Sequence, residues 1–369
     1  MHSSSTSETR LSLNSFFRAL PIKALVLSTA LIPFSINASK TNQYNAVVNS
    51  SKLTVVAVSN PSIVFKDGKY KHGFGYDLAH NYAQSLNVKL DFQTVSDNAT
   101  ALKMVAQGKA NFAITTATMQ NIEANRLTSF SASCGDFNSL KKNGLDTDLN
   151  WVFKQADDPL TATASGFICQ SKQNGATQQL AAFYNRNIVK KSDWNIIQRD
   201  LSARLPIYKA SFKRSAQQYG LDWHLLAAIG YQESYLKPNS VSPTGVRGLM
   251  MLTNNTAKEM GVSNRNDPAQ SIQGGAKYFD KMLSRYSYIP NADRYWYALV
   301  AYNMGPGAVD GIQKRIKAQG KNPNEWMNLY NYLTSSQASN GRHRQAVQYV
   351  TRIRAYLEHI KTTPLLLEI

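Results

Sequence analysis

Apolar residues follow two rhythms along this chain. From residue 53 to about 117, short β-rich runs alternate with stretches of helical spacing. "LTVVAV" (53–58) is a continuous apolar run such as a buried strand makes. "KDGK" (66–69) carries the Asp-Gly turn signal. In "GYDLAHNYAQSL", Leu78, Tyr82 and Leu86 recur every four residues, which predicts a helix. "VKLDFQTV" alternates as a strand does, "NATALKMVAQG" is helical, and "NFAITTA" is again a strand. Alternation of this kind predicts a parallel α/β sheet.

Near 187–205 the texture turns charged and polar in "RNIVKKSDWNIIQRD", and residues 188–204 read as a linker. From there on the spacing is helical almost throughout. Asp222 caps a helix expected to run to about Tyr235. Asp267-Pro268 opens another, with a cap residue and an N1 proline in their preferred places. Further helices are predicted at about 293–303, 306–318 and 343–360.

One position in the first of these helices breaks the apolar pattern. Leu225, Leu226, Ile229 and Glu233 fall on one helical stripe, so a carboxylate sits where a core residue belongs. Lost hydration and the negative end of the helix dipole both disfavour its ionised form, so its pKa should rise. A carboxylic acid kept protonated near neutral pH is what cleavage of a glycosidic bond asks of a general acid. A buried Glu paired with Arg247 is the plainer reading of the same spacing. After Glu233, "SYLKPNSVSPTGVRG" excludes continuous helix through Pro238, Pro243, Gly245 and Gly248, giving a loop able to fold back over the carboxylate. "GLMML" (248–252) supplies flexible apolar surface suited to a groove, or plain core. "ALVAYNMGPGAV" (298–309) ends a helix on Tyr302 and Asn303, an aromatic beside an amide, as sugar recognition favours; a helix end that caps itself is the alternative.

Composition narrows the class of partner. The chain of 369 residues has room for two domains, and its formal charge of +18 divides into +7 before residue 201 and +11 after it. A field spread this way favours polyanions: nucleic acid, anionic lipid or an acidic cell-wall polymer. Arg10, Arg18 and Lys23 precede the apolar run "ALVLSTALIPFSI" (24–36), followed by small and polar residues around Ala38. That order predicts a secretory signal or a membrane anchor over residues 1–38. The run is short of the roughly 20 residues a spanning helix needs. Export argues against a nucleic-acid partner. The two cysteines, Cys134 and Cys169, could pair in an oxidising compartment or stay as buried thiols. No His/Cys cluster has metal-ligand spacing, and neither metal nor cofactor is expected.

Two resemblances add to this reading. "GFGYDLAHNYAQSLNVKLDFQTV" and "ALKMVAQGKANFAITTATM" resemble the first lobe of the type II periplasmic solute-binding proteins, and "LNWVFKQADDPLTATASGFICQ" with "LAAFYNR" resembles the segment by which that family returns to its first lobe. The likeness spans 50–187. About 30 residues separate the two parts, too few for a second lobe, and Arg126 lies too late to be the family's carboxylate-binding arginine. A docking or regulatory module is therefore expected, its ligand unknown. Residues 205–360 resemble the goose-lysozyme-like lytic transglycosylases of the soluble-lytic-transglycosylase family. The matching motifs are Glu233-Ser234, Gly248-Leu249-Met250, Ala301-Tyr302-Asn303 and "QYVTRI" with Tyr349. Met251 stands where many members carry Gln.

The expected fold is therefore α+β: an α/β domain like one lobe of a solute-binding protein, then an all-α lysozyme-like domain. The resemblance implies a peptidoglycan lytic transglycosylase that cleaves the MurNAc–GlcNAc β-1,4 bond without water and leaves 1,6-anhydroMurNAc ends. Glu233 is the expected catalytic acid. Ser234, Ser242, Thr244, Gly248, Met250, Met251, Tyr302, Asn303 and Tyr349 are the expected substrate-binding residues. Among carboxylates downstream of Glu233, Glu259 and Asp267 look like surface or capping residues, which favours a single-acid mechanism over one with two carboxylates. A hydrolytic muramidase of goose-lysozyme type and an inactive cell-wall-binding or solute-sensing protein are the alternatives. The expected place of action is the periplasm, peripheral at the outer membrane.

Overall fold

A computed structural model describes residues 42–60, 62–67, 70–290, 292–335 and 341–367. The predicted signal or anchor over 1–38 lies outside these residues. No helix among the described residues is long and apolar enough to cross a membrane. The described residues form one compact unit.

The first part builds a sheet. After α1 (Gln43–Ser50) come β1 (Lys52–Val58), the hairpin strands β2 (Phe65–Asp67) and β3 (Tyr70–His72), α2 (Phe74–Ser85), β4 (Lys89–Val95), α3 (Asn98–Ala106) and β5 (Phe112–Thr115). Next are α4 (Met119–Ala124), β6 (Thr128–Ser131), α5 (Phe137–Lys142), β7 (Asn150–Phe153), α6 (Pro159–Gln173) and α7 (Ala176–Phe183). The strand order is β4-β1-β5-β7-β6. β1 lies parallel to β4 and β5, with Val55 opposite both Phe92 and Phe112. β7 runs antiparallel to β5 and β6, so the sheet is mixed, which corrects the expectation of an all-parallel one. A parallel pairing needs a crossover returning the chain to its starting edge. Here β7 enters between β5 and β6 from the opposite end, stacking Trp151 and Phe153 on Phe112 at 4.5 and 4.9 Å.

Cys134 and Cys169 are joined in a disulfide that ties the loop after β6 to α6 across 35 residues. Loop-closure entropy of that size corresponds to about 3–4 kcal/mol. Urea unfolding with and without reductant is expected to show a loss of about that magnitude.

The second part is helical: α8 (Lys191–Tyr219), α9 (Trp223–Ser234), α10 (Asn254–Met260), α11 (Pro268–Arg285), α12 (Asp293–Met304), α13 (Pro306–Ala318), α14 (Trp326–Thr334), α15 (Gly341–Thr362) and α16 (Pro364–Leu367). The segment expected as a linker, 188–204, becomes the first half of α8 from Lys191 onward, and this is a second correction. Lys191, Asp193 and Arg199 face water, while Ile197, Leu201, Leu205 and Phe212 make a buried stripe that continues past Pro206.

Aromatic packing and one ionic strap join the two parts. Phe183 at the end of α7 meets Trp296 and Trp326 edge-on at 5.2 Å each, and His72 lies 4.8 Å from the Trp296 ring. Arg354 of α15, 1% exposed, donates to Glu358 at 3.1 Å and to the Asn185 carbonyl at 2.8 Å. Arg186 reaches the other Glu358 oxygen at 3.4 Å.

Candidate active site

Helix α9 carries the acid. Asp222 caps it by accepting the His224 amide at 2.8 Å, and the run from Leu225 to Tyr231 is buried on every side. The helix stops because Tyr235 and Leu236 both take left-handed backbone angles, φ 55° and 58°. Two consecutive side-chain-bearing residues in that region store roughly 1–3 kcal/mol each. The chain thus turns back on itself directly after Glu233 and Ser234. Arg204 of α8 holds the turn by donating to the Tyr235 carbonyl at 2.8 Å.

The returning strip, 248–252, packs under α9. Gly248 has φ +88°, and a Cβ there would lie 1.9 Å from the Arg265 carbonyl oxygen. Arg265 in turn donates to the carbonyls of Gly245 and Leu252 at 3.1 and 2.8 Å. Ser271 accepts the Met250 amide at 3.1 Å. Gly230 and Gly275 leave the space into which Leu249 and Met250 fit: a Cβ on Gly230 would be 2.9 Å from Leu249, and one on Gly275 2.7 Å from Met250.

Two tyrosines stand beside the acid. The Tyr349 hydroxyl of α15 donates to Glu233 Oε1 at 2.5 Å. Tyr302, at the end of α12, donates to the Met250 carbonyl at 3.1 Å and packs its ring 5.2 Å from Tyr278. Part of Glu233 reaches solvent, yet protein crowds its carboxyl, and lost hydration pushes its pKa up to about 7 against the lowering pull of the Tyr349 hydrogen bond. Burial, and then the Glu233 charge, raise both phenols well above the ordinary tyrosine value. Tyr302 and Tyr349 therefore stay protonated and can only donate to a carboxylate beside them. No ion pair reaches Glu233 among the described residues, and Arg247 is exposed, so the plain Glu–Arg pairing does not form. Glu259 is paired with Lys281, and Asp267 caps α11 by accepting the Gln270 amide at 2.8 Å.

The remaining expected site residues divide in two. Asn303 is half-buried and its amide has no hydrogen bond to a described residue. Ser242 and Thr244 sit in the loop that follows α9, their hydroxyls 3.0 Å apart. Met251 is half-buried at φ 48°. Ser234 and Met250, by contrast, are structural, which corrects their assignment as groove residues. Ser234 is 3% exposed and its hydroxyl is spent on the Gly230 and Leu249 carbonyls at 3.1 and 2.7 Å. Met250 is fully buried, and only its backbone serves the site, as anchor for Tyr302. Sequence reasoning missed Gly230, Gly275, Ser271 and Arg265, which support the strip from below and behind. The Gly274-Gly275 pair inside an otherwise good helix was the available signal, since glycine in a helix interior costs about 1 kcal/mol unless another element must approach closely.

Comparison with known proteins meets this geometry. Residues 210–325, within the helical part, match the family described as Transglycosylase SLT domain. The chain is similar to proteins named membrane-bound lytic murein transglycosylase F. That of Marinobacter nauticus is 40% identical over 58% of this chain and 45% of its own length. Those of Stutzerimonas stutzeri and Alcanivorax borkumensis are 36% and 35% identical over 70% and 75% of this chain, and 54% and 61% of theirs. The chain thus spans about half the length of the curated relatives it matches. A crystal structure of an inactive mutant of lytic transglycosylase Slt from Pseudomonas aeruginosa is 20% identical, with a TM-score of 0.34 over 62% of this chain and 38% of that one. A likeness that slight has no bearing on fold or function.

Proposed function

We propose that the protein is a peptidoglycan lytic transglycosylase with Glu233 as its one catalytic carboxylate. The observation that carries this is the crowded carboxyl itself, its pKa pushed up to about 7 by lost hydration and one oxygen held by Tyr349. Because Oε1 is occupied, Oε2 is the oxygen left to face substrate. The protonated carboxyl gives its proton to the oxygen linking MurNAc to GlcNAc as that bond breaks. The substrate's own N-acetyl oxygen supports the cationic C1. The carboxylate then takes the proton of the MurNAc 6-hydroxyl as that oxygen closes on C1, giving a 1,6-anhydro end. Glu233 ends protonated as it began, and no water is consumed. The pairing of Glu259 and the capping role of Asp267 favour this over a two-carboxylate hydrolase. Mass analysis of muropeptides released from purified sacculi tests it: products one water lighter than hydrolytic ones are expected, and reducing-end MurNAc alone would refute the lyase.

Substrate contacts fall to Asn303, Tyr302, Met251, Ser242 and Thr244, and to Gly248 through its backbone. Residues 50–187 are read as a single solute-binding-like lobe serving docking or regulation, and residues 205–360 as the catalytic domain. The relatives' names support action at a membrane. With the N-terminal signal pattern they support a periplasmic protein, peripheral at the outer membrane.

The pH profile provides a further test. Chemistry that needs the protonated acid is expected to decline about tenfold per pH unit above pH about 7. Tyr349→Phe removes a donor that favours the ionised form, so the pKa rises and the alkaline limb moves up by about one unit. A limb that stays put or moves down would separate Tyr349 from the acid.

A further inference from the structure

A second surface of the helical part carries the features of a sugar-binding platform. Tyr288, in the loop between α11 and α12, is 56% exposed, yet its hydroxyl is pinned by donating to Gln313 Oε1 at 3.0 Å. Gln313 is 8% exposed and fixed in turn, donating to the Pro323 carbonyl at 3.1 Å. The ring is thus held in place while much of its surface stays open to water. Ordering it costs little on binding, because its freedom is already gone.

The chemistry around the ring is consistent along one helix face. Asp310, Gln313, Lys314 and Lys317 follow at helical spacing on α13 and line, with Tyr288, Arg285 and Asn324, a concavity of about 570 Å³. Asp310 is neutralised by Arg285. Lys314 and Lys317 are exposed, and neither pairs with a carboxylate among the described residues. The concavity therefore offers an aromatic face, an amide and two uncompensated ammonium groups. That combination matches a sugar ring bearing carboxylate substituents, since the ring stacks while the charges pair. Lipid headgroups would use the cations but not a single pinned phenol.

We propose that Tyr288, Lys314 and Lys317 form an accessory binding site for acidic glycan, separate from the residues gathered around Glu233. The proposal rests on the peptidoglycan reading above, and names a site that retains the polymer while the catalytic groove turns over.

Cosedimentation with purified sacculi tests it, in a Glu233→Gln background so that the polymer is not consumed. Tyr288→Ala and the double substitution Lys314→Glu/Lys317→Glu are each expected to weaken binding about fivefold to tenfold. The lysine variant should also lose most of its sensitivity to salt. Tyr288→Phe, which keeps the ring but frees it from Gln313, should bind more weakly than the parent and more tightly than Tyr288→Ala. With Glu233 intact, Tyr288→Ala should cleave short soluble muropeptides at the parental rate. Folded variants that bind sacculi as tightly as the parent overturn the proposal. So does a loss confined to phosphatidylglycerol vesicles, which would assign the patch to lipid. If the wild type cleaves no glycan while Tyr288→Ala still loses sacculus affinity, the catalytic reading fails and this site stands.

Discussion

Replacing Glu233 by Gln is expected to lower glycan cleavage by roughly 10²–10⁴-fold, the usual contribution of a positioned proton donor. Fold and sacculus binding should be unaffected. The amide is nearly the same shape as the carboxyl, and its oxygen can still accept the Tyr349 hydroxyl that now bonds Oε1. What it lacks is a proton to give and, after bond cleavage, a negative charge with which to recover one. Both halves of the proposed cycle stop together. Release of soluble muropeptides from sacculi measures the loss. Activity within a few-fold of the parent would remove Glu233 from the chemistry and leave its raised pKa without a use.

Gly248→Ala is expected to cost about 2–4 kcal/mol of stability and to disable the site through the strip it turns. Two effects combine. The backbone angle of +88° is one that alanine adopts at a cost of roughly 1–2 kcal/mol. The new methyl would also meet the Arg265 carbonyl at 1.9 Å, and backbone on both sides cannot yield cheaply. Gly245 provides the comparison: its φ is +79° but nothing lies within 4 Å of its Cβ direction. Gly245→Ala should therefore show the backbone cost alone, about 1–2 kcal/mol. Chemical denaturation of the two variants separates the terms. Equal losses would mean that the strip relaxes freely and that Gly248 is not a close-approach position.

Much of the site was legible because helix signals are local. The Asp222 cap, the apolar run behind it and a carboxylate at the wrong point of the stripe place Glu233 without any tertiary information. Asp267-Pro268 fixes the start of α11 in the same way. Misreadings arose where long-range packing decides. Residues 188–204 look like a linker because charged and polar groups together outnumber apolar ones there. Four well-spaced buried side chains suffice for a helix once there is a body to lie on. The direction of β7 depends on which sheet edge the returning chain reaches, which no local pattern encodes. The flexibility of the Met250 side chain suggests groove surface. Only the facing glycines of α9 and α11 reveal that it fills a hole in the core. The pairing of Cys134 with Cys169, left open by spacing, is likewise settled by where α6 packs.

The strap at Arg354 bears on how the molecule can be divided. Excising the helical half at residue 205 would strip that guanidinium of the Asn185 carbonyl and deprive Glu358 of Arg186. It would also uncover Trp296 and Trp326 where Phe183 now sits. The same helix carries the hydroxyl that grips the acid, about one and a half turns from Arg354 and two and a half from Glu358. Amputation on the sheet-bearing side would thus be felt at the proton donor, and the helical half is no freestanding cassette.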